Sequence, residues 1–351
     1  MEYHEFFVDR PGDYRVDVAF TDRNTDKTTY YQKYVSVLDF SDENSEVELS
    51  DPVLFIKSEE FGIETVKHYN IPAYFDSLSL NYTILNKSEE LIITTTLSKF
   101  VSDSSFSRPL PFNNYSQSDL EFKGIDYSKP RVIQTIRRRL FENPGPIIFE
   151  LNFTDLARGN YRAEVSVELA SGREIKNQKV DFGIVGPNFP YVRSPLDLAE
   201  PLGLLMSEKD HKKLMDIKDP DRLKNAVDTY WLKNISTKQR AKDTILLFYE
   251  RVEEANKLFS TYKEGWKTDQ GMIYILFGRP FLIRRNLDRL QWSYTTNLYD
   301  NQSNFFFIRP NTKSIHFGFD NYLVERSQFY YQLYYQQIRA WETGVILFDT
   351  L

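Results

Sequence analysis

The stretch GWKTDQGMIYILFGRP, residues 265–280, divides helical periodicity before it from short strand-like runs after it. Gly265 follows a long helical pattern, where a left-handed glycine commonly ends a helix. Trp266 is placed to fold back on that helix as an apolar anchor. Thr268 and Asp269 carry short side-chain oxygens suited to tying their own turn together. On that reading Asp269→Ala costs only about 1–2 kcal/mol. Gly271 permits a reversal, and Met272–Phe277, with Tyr274 inside it, is an apolar run of strand length. Gly278 and Pro280 end the run. The expectation is helix stop, turn, buried strand, turn, with each unusual residue used structurally.

Upstream of the stretch the hydrophobic period is 3.6. Ser207 with Asp210 resembles a capping box, and Asp219-Pro220 reads as N-cap and first-turn proline of a helix over roughly 220–234. Ser236 or Thr237 opens a longer helix to about Glu264, with its apolar stripe on Ala241, Ile245, Phe248, Val252, Ala255, Phe259 and Tyr262. Downstream, RLQWSYTT, SNFFFIRP and SIHFGFD read as short antiparallel strands. Residues 321–344 read as a last helix whose core stripe is Tyr331, Tyr334, Ile338 and Trp341. Phe329, Tyr330 and Tyr335 fall on its flanks, where exposed rings suit a protein partner.

The first half of the chain is strand-like and holds an internal repeat. PGDYRVDVAFTDRNTDKTTYYQKYVSV (11–37) echoes RGNYRAEVSVELASGREIKNQKVDFGI (158–184), with Gly12, Tyr14, Arg15 and Val18 matching Gly159, Tyr161, Arg162 and Val165. A tyrosine just after a glycine turn resembles the tyrosine corner of immunoglobulin-like sandwiches. Strand-like sequence precedes the second copy from roughly Ile71, whereas only eleven residues precede Gly12. The first copy therefore reads as the back half of a domain, with native sequence and an export signal expected upstream of Met1. Three domains follow from this: 1–52, an incomplete C-terminal half of a β-sandwich plus an acidic linker; 53–186, a β-sandwich; and 187–351, an α+β domain of helices, a small antiparallel sheet and a C-terminal helix.

Composition narrows the functions. The net charge of −6 in 351 residues disfavours nucleic acid as a partner, because tracking a phosphate backbone needs a basic field. With no cysteine, thiolate metal sites, cysteine nucleophiles and disulfides are excluded. The four histidines His4, His68, His211 and His316 are scattered, so no zinc site and no other metal site is expected. No apolar run reaches the length of a transmembrane helix. P-loop, dinucleotide, G-x-S-x-G and H-E-x-x-H patterns are missing, and no cofactor is expected. The three consecutive arginines 137–139 alternate faces on a strand and form no single anion patch.

The stretch at 265–280 also resembles the GWxTD domain of bacterial GWxTD domain-containing proteins, its namesake residues being Gly265, Trp266, Thr268 and Asp269. Gly271, Tyr274, Ile275, Gly278 and Pro280 match the continuation of that motif. Gln270, Arg279 and Phe281 stand where an arginine, a proline and an aspartate are usual. The resemblance implies a domain over about 187–345, with sandwich modules before it. It also implies an exported protein of the cell envelope, in the periplasm or on the outer-membrane surface, with no settled activity. The leading expectation is a non-enzymatic interaction or scaffold protein, a subunit of a larger assembly. A glycan-binding module with exposed aromatic rings is one alternative. Another is a hydrolase using Asp269 with Glu264 and an arginine from 283–289.

Overall fold

A computed structural model describes residues 8, 10–21, 28–37, 47–59, 62–86, 90–111, 124–140, 145–286, 289–295, 303–308 and 321–348. The strand expected in SIHFGFD (314–320) and the acidic residues 38–46 lie outside them. Among the described residues the chain is mixed, with four sheets and a helical segment.

The first copy of the repeat is a hairpin, β1 (Gly12–Thr21) with β2 (Thr28–Val37). Ten further strands follow: β3 (Val47–Leu49), β4 (Val53–Ser58), β5 (Gly62–Thr65), β6 (Asn70–Pro72), β7 (Ser77–Asn86), β8 (Leu91–Ser102), β9 (Ile125–Leu140), β10 (Gly145–Phe153), β11 (Gly159–Leu169) and β12 (Glu174–Val185). They form two five-stranded sheets. One runs β10-β7-β4-β5, with β3 also on β7; the other runs β6-β12-β11-β8-β9. The linker expected up to residue 52 is thus too long, because Val47–Leu49 pairs with β7 inside the next module.

Alternation builds the core between these sheets. Along β8 the inward residues Leu91, Ile93, Thr95 and Leu97 are buried and the residues between them partly exposed. Leu78, Leu80 and Ile84 of β7 meet them in one apolar cluster, and the Tyr82 hydroxyl and Thr95 Oγ1 bond across it at 2.8 Å. The repeat has the same corner in both copies: Tyr14 Oη donates to Arg10 O at 2.7 Å, and Tyr161 Oη donates to Ala157 O at 2.5 Å. Gly12 (φ 140°) and Gly159 (φ 150°) start the strands in backbone that side chains rarely adopt.

The second half begins with α1 (Pro195–Ala199), α2 (Glu208–Met215), α3 (Pro220–Leu232) and α4 (Lys238–Phe259). Ser207, Asp219 and Thr237 are the expected N-caps of α2, α3 and α4, accepting from Asp210 N, Arg222 N and Arg240 N. α4 stops at Phe259, short of Glu264, where Ser260 turns extended. α5 (Asp269–Phe277) follows the motif, then β13 (Leu282–Arg285), β14 (Arg289–Ser293), β15 (Asn304–Ile308) and β16 (Leu323–Val324) in one antiparallel sheet, and finally α6 (Tyr331–Thr343).

Three expectations are overturned here. Met272–Phe277 is helix, not strand: all six side chains are buried, so the run is apolar all round and carries no helical stripe to read. The expected helix 321–344 starts only at Tyr331, because Leu323–Val324 pairs with β15 and Ser327 caps a 3-10 turn at 328–330. Tyr331, expected in the core stripe, is 58% exposed, whereas Tyr330, expected on the surface, is 6% exposed and donates to Asn304 O at 3.0 Å.

The duplicated corner makes a measurable claim. Tyr161→Phe removes one partly buried hydrogen bond and should cost about 1 kcal/mol in urea denaturation. Gly159→Ala should cost more, because it forces a β-carbon into the φ 150° backbone and against the Lys99 side chain. Equal losses would show that the corner is held by the hydroxyl alone.

Candidate functional site

The two glycines that open the motif are set by backbone contact. Gly265 is not left-handed; a β-carbon there would lie 1.9 Å from Ala255 O of α4. A β-carbon on Gly271 would lie 1.9 Å from Gly265 O. The motif is therefore folded onto α4 and then onto itself. Asn256 clamps the fold, its Oδ1 accepting from Trp266 N at 3.3 Å while Nδ2 donates to Pro190 O at 3.1 Å. Trp266 is buried in the apolar core against α4, as its expected anchor role requires, and stacks on Phe106 with centroids 6.0 Å apart.

Thr268 caps α5. Its Oγ1 accepts from Gly271 N at 3.0 Å and donates to Gly265 O at 2.7 Å. Asp269 does something different from its expected turn role: none of its partners is local. Oδ1 accepts from Ser107 Oγ at 2.5 Å and Arg326 Nη2 at 2.6 Å, and Oδ2 accepts from Val324 N and Arg326 Nη1, both at 2.8 Å. Asp269 is 4% exposed and the Arg326 side chain not at all. Burial pulls the Asp269 carboxyl upward, but the Arg326 charge and the four donated bonds outweigh it and hold the group below its usual range. Arg326 also donates to Val324 O and Arg108 O. Its role was invisible in the sequence, since a single arginine 57 residues from its aspartate leaves no local pattern.

The far end of the helix is closed as well. Arg251 donates to Ile275 O (3.0 Å), while Gln337 and Trp341 donate to Leu276 O (2.7 and 3.1 Å). Gly278 (φ 83°) ends α5, and Tyr294 Oη donates to its carbonyl at 2.8 Å. Tyr274 Oη donates to Glu254 of α4 and accepts from Arg279 Nε at 3.1 Å, and Pro280 follows before β13.

A family model described as the GWxTD domain matches residues 169–343. The chain belongs to the GWxTD domain-containing family. The match starts within the β11–β12 hairpin, earlier than the expected 187, so the GWxTD region shares a strand with the sheets before it. No curated protein matches the chain. Among solved structures, the chain is similar to a family 123 glycoside hydrolase from Clostridium perfringens at 11% identity and TM-score 0.22, over 49% of this chain and 35% of that one. It is also similar to the ycdA protein of Bacillus subtilis at 11% identity and TM-score 0.16, over 75% of this chain and 70% of that one.

Within the GWxTD domain the acid pair expected for a hydrolase is divided between separate ion pairs. Glu264 bonds Arg158 Nη2 at 2.5 Å and Lys267 Nζ at 2.7 Å, while Asp269 takes Arg326 rather than an arginine from 283–289. Trp231, Trp266, Trp292 and Trp341 are all buried, leaving no tryptophan to stack on a sugar. Among the described residues no cluster of acids and histidines is arranged to hold a metal, and no helix is long and apolar enough to cross a membrane. Of the three rings expected for a partner, Phe329 and Tyr335 are exposed and Tyr330 is not; Tyr331 takes its place, 4.7 Å from Tyr335.

The ion pair gives two linked predictions. Asp269→Asn leaves a buried guanidinium without its counter-charge and should cost about 3–5 kcal/mol, while Asp269→Leu/Arg326→Met together should cost less than either single change. The folded Asp269 pKa lies below its unfolded value, so its contribution is complete at neutral pH and lost as pH falls through the folded value. Urea titrations from pH 7 downward should therefore show the gap between wild type and Asp269→Asn closing below about pH 4. A gap that is constant with pH would mean the charge contributes nothing.

Proposed function

We propose that the protein is a non-enzymatic interaction subunit of a bacterial cell-envelope assembly, in which β-sandwich modules of immunoglobulin type carry a GWxTD domain that contacts a protein partner. The observation that carries this reading is the state of the motif carboxylate. With both oxygens of Asp269 taken by four donors, nothing remains to bind substrate or move a proton. The namesake residues serve packing, and that favours a structural role for the motif. The duplicated tyrosine corner supports the immunoglobulin-type reading of the sheets. The exposed rings of Phe329, Tyr331 and Tyr335, on and beside α6, supply anchors of the kind that dominate protein interfaces.

A photo-crosslinking amino acid at Tyr331 or Tyr335, introduced into the protein in its native cells, tests the reading. Both positions should give the same discrete cross-linked species in the envelope fraction, and the exposed Leu246 on α4 should not. Adducts at Leu246 equal to those at Tyr331, or recovery of the protein outside the envelope, would overturn it.

A further inference from the structure

Between the sheets and the GWxTD domain lies a cleft of about 520 Å³. Among the described residues five cations line it, Lys99, Arg131, Arg158, Lys263 and Lys267, against two carboxylates, Asp103 and Glu264. This excess sits in a chain whose net charge is −6. Three of the cations are already paired: Arg158 and Lys267 with Glu264, and Lys263 with Asp103 at 3.2 Å. Lys99 and Arg131 are not. They face each other across β8 and β9, and no carboxylate among the described residues pairs with either.

Like charges directly opposite on neighbouring strands are destabilising. Here the arrangement is built rather than loose. The Lys99 ammonium donates to Arg158 O at 2.7 Å, lies 5.2 Å from the Tyr161 ring, and passes over Gly159, where any side chain would obstruct its stem. Burial and the nearby Arg131 lower its proton affinity. Beside it, Asn160 Nδ2 donates to Ser102 Oγ at 2.7 Å, placing a hydroxyl and an amide in the same wall.

We infer that this cleft is a binding site for a single phosphate group, held between the Lys99 ammonium and the Arg131 guanidinium. Two adjacent cations without a carboxylate match the −1.5 to −2 charge of a phosphate monoester near neutrality, which a single carboxylate does not. Arginine presents its donors as a fork that suits phosphate oxygens. The phosphate belongs either to a small soluble monoester or to a phospholipid headgroup.

Calorimetric titration of the full chain with inorganic phosphate, with acetate as control, tests the site. Vesicles of neutral lipid with and without phosphatidic acid form the second arm. Wild type should bind phosphate and not acetate. Arg131→Gln, on an exposed side chain, should weaken that binding at least tenfold, as should Lys99→Met. Arg137→Gln, on the same strand outside the cleft, should leave it unchanged. Vesicle binding that needs phosphatidic acid and falls in Arg131→Gln identifies the headgroup as source; phosphate binding without vesicle binding identifies the soluble monoester. Wild type that binds neither probe, or Arg131→Gln that binds like wild type, overturns the inference.

Discussion

The buried pair of Asp269 and Arg326 fixes the rest of the GWxTD domain. Removing both charges from water is expensive, and their attraction offsets that cost only when every remaining donor and acceptor is satisfied. That condition is what ties the chain together. Satisfying Asp269 takes a hydroxyl from the loop after β8 and an amide from β16; satisfying Arg326 takes carbonyls from the same two segments. Three pieces of chain far apart in sequence are therefore held at one point, and none can shift without leaving a buried charge unpaired.

The same logic runs along α5. A helix buried on all sides cannot leave its end groups to water, so each must find a protein partner. Thr268 closes one end, and Arg251, Gln337 and Trp341 close the other, the last two from α6. The glycines are small because backbone lies where their side chains would be, at Ala255 for Gly265 and at Gly265 for Gly271. The motif is more than a turn: its glycines and threonine bring α4, the motif and α5 into contact, and its aspartate reaches outward to the rest of the fold.

What was legible in the sequence follows from how local the determining physics is. Helix caps at Ser207, Asp219 and Thr237 are bonds across three residues, and all three are found where their patterns placed them. The tyrosine corners are bonds across four residues, and duplication made them visible. Met272–Phe277 reads as a strand because complete burial erases the periodicity that separates helix from strand. Tyr330 and Tyr331 exchanged places because a 3-10 turn at 328–330 alters the phase at which α6 begins. Arg326 was missed altogether, since its partner is set by tertiary structure alone.

The loop from Asp103 to Pro111 connects the two halves physically. At its start Asp103 and the Ser105 carbonyl hold Lys263, on the wall of the cationic cleft. Further along, Phe106 lies on Trp266, Ser107 reaches Asp269, and Leu110 enters the GWxTD core while its carbonyl accepts from Ser327 N. The loop cannot withdraw from the motif without also releasing Lys263, and Lys263 immediately precedes Glu264, which pairs with both Arg158 and Lys267. The charge balance of the cleft and the integrity of the buried ion pair thus depend on the same nine residues. In physical terms, the motif holds one wall of the cleft against the sheets that form the other.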